Sequence, residues 1–176
     1  MTGERVGRRL AALVACAAVA ACVLPAAGAA GGGDEKRPLP PFDVLAPSGE
    51  AVQSSQVGPP GQWLLVYVAP ASPASIRLFE AMRAWESPGL ASRAVVVIGA
   101  PVAEAASFVQ ERGNEFPAVR WCADPDGSAR LALRITGTPF ILGVTDGQIA
   151  WSLAGVLNDP RALESVMRGW VEPKTP

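Results

Sequence analysis

The chain has 176 residues, 15 Lys and Arg against 16 Asp and Glu, and no histidine. That length suffices for one self-supporting core. The balance from Asp34 onward, 12 basic against 15 acidic side chains or a net −3, argues against nucleic acid or an anionic membrane surface as the main partner. Without histidine there is no Ser-His or Cys-His catalysis, no His-ligated metal and no haem attachment through Cys-x-x-Cys-His.

Arg5, Arg8 and Arg9 precede an apolar run over 10–24, followed by Pro25 and small residues as far as Gly33. This order of charged, apolar and small segments marks a secretory signal. Residues 1–30 are therefore expected to be a leader, and the protein to be exported, either periplasmic or anchored to the outer face of the membrane. Three fates of the leader compete. Ala27-Gly28-Ala29 offers an ordinary cleavage site, whereas Val19-Ala20-Ala21-Cys22 matches a lipobox in which Cys22 would be lipidated and tether the chain. An uncleaved anchor fits least, because the strongly apolar part is shorter than the roughly 20 residues of a spanning helix. As an alternative to lipidation, Cys22 is a small apolar filler. Cys16 and Cys22 both lie in the leader, so the exported part keeps Cys122 alone and forms no internal disulfide.

Residues 31–40 read as a polar, Pro-rich linker, and residues 41–172 as the domain. Segments 42–45 and 51–52 flank Pro47-Ser48-Gly49, a turn signal that predicts an opening hairpin. The apolar run 63–68 predicts a strand covered on both faces and central in its sheet. From Ser72 the period changes: Ile76, Phe79 and Met82, with Leu78 and Trp85 beside them, predict a helix that stops before Ser87-Pro88-Gly89. A second buried strand follows over 94–99 and a second helix over 102–112, ended by Gly113. Right-handed crossovers make these strands parallel. Asp124-Pro125-Asp126-Gly127 is a turn ahead of a short helical stretch, 128–133. Segments 140–144 and 148–153 form a hairpin around Thr145-Asp146-Gly147. A closing amphipathic helix over 160–170 places Leu163, Val166, Met167 and Trp170 on one face. The elements add up to an α/β domain with a central mixed sheet and helices on both faces.

Several ordered features resemble the exported thioredoxin-like proteins of the TlpA and redoxin type, which include factors for cytochrome c or dehydrogenase maturation. Pro41-Phe42-Asp43-Val44 through Gly49 is similar to that family's N-terminal hairpin, and 64–75 to its strand and active-site turn. Asp124 to Gly127 is similar to its pre-helix turn, and Gly137-Thr138-Pro139 with Asp146-Gly147 to its cis-proline loop and hairpin. The resemblance implies a thioredoxin-like fold. It also implies a Cys-x-x-Cys dithiol whose first thiol sits at a helix N-terminus, where free N–H groups stabilise a thiolate. Here the matching positions hold Ser72 and Ser75. A serine hydroxyl forms no disulfide and, with no histidine to act as base, is not ionised. The chain is thus read as a divergent member without a catalytic pair.

Ser72 is also a favoured N-cap and Pro73 a favoured first helical residue, so the segment starts a helix well whatever else it does; the sharper alternative makes Ser72 a polar contact for a partner. The resemblance implies a cis Thr138–Pro139 bond facing the Ser72 helix, with a groove of Ser72, Pro73, Thr138 and Pro139 in which the Thr138 backbone pairs with extended peptide. The alternative is a proline that merely opens a strand. Cys122 is either a packed, inert thiol or an exposed one serving a one-cysteine oxidoreductase or peroxidase-like activity through mixed disulfide or sulfenic acid. Asp124 and Asp126 lack the third ligand, Gly and Glu of an EF-hand loop. No metal and no cofactor is implied. The expected role is redox-inactive binding of an envelope protein or peptide, with an N-terminal membrane tether where the leader is lipidated or retained.

Overall fold

In the computed structural model, residues 36–85, 87–155 and 159–172 are described; the leader 1–30 with Cys22, and residues 31–35, lie outside them. The chain forms an eight-stranded mixed sheet in the order β1-β8-β7-β4-β5-β6-β2-β3. The first hairpin pairs β2 (Asp43–Leu45) with β3 (Ala51–Gln53), as the turn signal predicts, and the one-turn helix α1 (Ser54–Val57), not anticipated, follows directly. β4 (Gln62–Val68) lies mid-sheet, and from Trp63 onward every side chain is buried. A strand covered on both faces has no polar side to mark, so it shows as a continuous apolar run.

Helix α2 (Pro73–Ala84) leads through α3 (Pro88–Ser92) to β5 (Ala94–Ile98), parallel to β4. The Ser87-Pro88-Gly89 segment does end α2, but it also opens α3: the Ser87 hydroxyl accepts the Leu90 N–H at 3.2 Å. Helix α4 (Val102–Arg112) has its predicted span, yet Gly113 does not end it in a left-handed cap. With φ at −60° the glycine continues into a 3-10 turn, Gly113–Glu115. Strand β6 (Arg120–Ala123) extends the parallel set, and α5 (Ser128–Ala132) crosses back toward β7 (Phe140–Thr145) and β8 (Gln148–Ala154). Asp146 and Gly147 both have positive φ, 50° and 72°, the two-residue primed turn favoured between twisted strands.

Two further elements depart from expectation. Part of the predicted linker is a strand: β1 (Arg37–Pro38) pairs with the outer edge of β8. Two residues that include a proline carry no alternation to reveal them. In α6 (Pro160–Val171), Leu163, Met167 and Val171 are buried, whereas Val166 is 43% exposed and Trp170 half-buried. Trp170 still packs against the core and donates its indole N–H to the Trp63 carbonyl at 3.0 Å, so of the predicted stripe only Val166 turns outward, and Val171 extends it.

Helices α2, α4 and α6 cover one face of the sheet, where Phe79 packs among Phe108, Phe116 and Trp121 with ring centroids 5.5 to 5.7 Å apart. Helices α1 and α5 cover the other, over Leu65, Val95, Val97 and Leu142. Among the described residues, the buried side chains of both layers lie between Phe42 and Val171, with Leu39 packed against the second layer.

Candidate functional site

Tyr67 of β4 pairs with Phe140 of the antiparallel β7. The residues just after Tyr67 and just before Phe140 therefore meet at one end of the sheet, and these are the Ser72 turn and the Thr138–Pro139 loop. Ser72 has an extended backbone, φ −84° and ψ 116°, and its hydroxyl oxygen accepts the Ser75 N–H at 3.4 Å. Pro73 follows at the first helical position, where its missing N–H leaves nothing unpaired. The Ser72 hydroxyl also donates to the Thr138 carbonyl, again at 3.4 Å. Both bonds are longer than usual, so each contributes weakly. Ser75 is fully buried, and its oxygen accepts the Ala69 N–H at 3.3 Å, folding the turn back onto the end of β4. Each serine thus serves a backbone donor.

The Thr138–Pro139 peptide bond is cis. Pro139 is buried, Thr138 is half-buried, and the Pro139 carbonyl accepts the Gly155 N–H at 2.7 Å, which ties the loop to the end of β8. The structure therefore brings Ser72, Pro73, Ser75, Thr138 and Pro139 together. Neither 69–76 nor 135–141 contains a charged side chain, and exposed Arg77 and Arg134 flank them directly.

Cys122 stands apart. It lies on β6, with β5 between it and β4, and is 2% exposed in the layer beneath α1 and α5. Burial pushes its thiol above the ordinary cysteine range, and the nearby Arg120 offsets only part of the rise. Of the two readings, the burial is that of the packed thiol rather than the exposed one: β6 is covered on both faces, so alternation puts Trp121 in one core layer and Cys122 in the other.

A buried polar unit beneath the site escaped the sequence reading. Asp124, 2% exposed, accepts the Ala129 N–H at 3.2 Å and the Arg130 N–H at 3.1 Å, capping α5, and also accepts the Tyr67 hydroxyl at 3.0 Å. Burial first, and the Asp124 carboxylate second, hold the Tyr67 phenol above the usual tyrosine range. The Tyr67 hydroxyl packs so closely on Gly99 that a Cβ there would overlap it. The available signal was an Asp ahead of a short helix; its partner 57 residues away left none.

Strand order, the site at the end of β4 and the cis-proline loop beside it define a thioredoxin-like fold. Solved structures bear this out. A thiol:disulfide interchange protein DsbE from Chlorobium tepidum has a TM-score of 0.62 at 21% identity, over 78% of this chain and 98% of that one. A thio-disulfide isomerase from Thermus thermophilus has 0.60 at 19%, over 80% and 100%. A pneumococcal exposed lipoprotein thioredoxin, Etrx1 from Streptococcus pneumoniae, has 0.54 at 14%, over 73% and 98%. At these identities the likeness is one of fold. No protein-family model matches the chain, and no curated protein does.

Proposed function

We propose that this is an exported, redox-silent thioredoxin-fold protein that holds an extended segment of an envelope protein between the Ser72 turn and the Thr138–Pro139 loop, as an assembly or maturation factor. The observation that carries the reading is the pairing of Ser72 with Thr138 across the site, with hydroxyls where a dithiol would stand and the lone domain thiol buried in a different layer. Thr138 offers backbone in a segment without charged side chains, which suits strand addition by a peptide. The charged, apolar and small-residue order of residues 1–33 and the exposed-lipoprotein neighbour support export.

Two measurements test it. A photo-crosslinking residue at position 138, in whole cells, should give discrete protein adducts that fade when Pro139 is replaced by Ala; adducts indifferent to that change would count against the groove. The purified domain should reduce insulin no faster than its Cys122→Ala variant. Turnover well above that variant would sink redox silence.

A further inference from the structure

On a domain of net negative charge, one cleft gathers two arginines. β1 and the C-terminal end of α5 enclose a cleft of about 250 Å3 whose lining, among the described residues, includes Arg37, Pro40, Leu133, Arg134 and Ile149 and no acidic residue. Arg93, Arg120, Arg130 and Arg168 are engaged by protein carbonyls or a carboxylate. Among the described residues, Arg37 and Arg134 form no ion pair. Arg134 sits at φ 55°, its N–H donating to Leu131 O at 3.1 Å, while the Ile135 N–H returns to Arg130 O at 2.9 Å. Leu131, three residues earlier, is 77% exposed, more than any other large apolar side chain among the described residues.

A protruding leucine beside arginines is idle in water but suited to a lipid boundary, where the apolar group enters and the cations meet phosphate. The chain also arrives at Lys36 and Arg37 from the apolar run 10–24, a short distance upstream. We propose that Lys36, Arg37, Leu131 and Arg134 dock the domain on an anionic lipid surface, the two-arginine cleft taking phosphodiester headgroups. This rests on the export part of the proposed function, since it needs the domain outside the cell with its leader end near the membrane.

The test uses the chain from residue 31, which retains every core residue described above and the carboxylates of Asp34 and Glu35. It is spun down with vesicles of phosphatidylglycerol and phosphatidylcholine, or of phosphatidylcholine alone. Binding to the anionic vesicles should be stronger by about tenfold or more, and should weaken with added salt. Arg37→Gln with Arg134→Gln should remove that advantage. Leu131→Ser should weaken binding with charge intact, while Arg77→Gln with Arg161→Gln, an equal charge change elsewhere, should leave it unaltered.

Equal partition onto both vesicles, retention by the Arg37 and Arg134 pair, or the same loss in the control pair would overturn the proposal. So would protection by inorganic phosphate without vesicle binding, which would make the cleft a site for soluble anions. Urea midpoints matching wild type show that the variants are folded. Failure here leaves the groove untouched, because cross-linking at Thr138 reads it independently; failure of export would show instead as protein retained inside whole cells with residues 1–30 attached.

Discussion

Ser72 joins two segments with one hydroxyl, as cap acceptor for Ser75 and donor to Thr138. Because both bonds are long, Ser72→Ala should cost no more than about 1 kcal/mol, toward the lower part of the range for lost caps, read from urea unfolding. Asp124 is the weightier residue. Asp124→Ala would leave the Tyr67 hydroxyl and the buried Ala129 N–H without their acceptor, along with the part-buried Arg130 N–H, and should cost about 3 kcal/mol. Tyr67 adds a pH dependence with a defined sign. Its phenol is raised in the folded state, so its contribution is intact below the unfolded value of about 10 and lost as pH rises above it. Tyr67 is the sole tyrosine, so phenolate absorbance should appear together with alkaline unfolding. Tyr67→Phe should flatten the fall in urea midpoint above about pH 10; an unchanged slope would contradict the assigned burial.

At the scale of elements, α6 separates position from periodicity. Leu163 is fully buried and Val166 is 43% exposed. Leu163→Ala should therefore cost about 3 kcal/mol through lost burial and the cavity left behind. Val166→Lys should stay within about 0.5 kcal/mol, as at other exposed sites; a denaturant series on both variants checks the pair. Period and punctuation in the sequence sufficed for the opening hairpin, β4, α2, α4 and the Asp146-Gly147 turn. They failed where an element is too short to show a period, as in β1, α1 and α3, or where neighbours choose the buried stripe, as in α6. Gly143 shows the same limit. A Cβ there would overlap the Trp151 indole on the adjacent strand, so Gly143→Ala should lower the thermal midpoint by displacing that ring, which in turn meets Trp170 edge-on at 5.9 Å. A glycine inside a strand signals that something lies close without saying what.

For the whole molecule, Cys122 can report on global stability. Its thiol is buried in the layer beneath α1 and α5 and ionises reluctantly, so a thiol reagent at neutral pH should label it only as fast as the domain opens, in step with unfolding across a urea series. Fast labelling of the folded protein would revive the one-cysteine enzyme. Several features were fixed by the amino-acid order alone: the missing histidine, the serines at 72 and 75, the single thiol of the domain, the central buried strand and the order of parallel units before the hairpin. These are matters of residue identity and local period, which the chain carries wherever it folds. Tertiary structure decided which distant groups meet: Ser72 with Thr138 across the end of β4 and β7, Tyr67 with Asp124, Arg37 with Arg134, and Cys122 turned inward. Sheet register and crossover set those pairings, and no local pattern encodes a partner that pairing brings from tens of residues away.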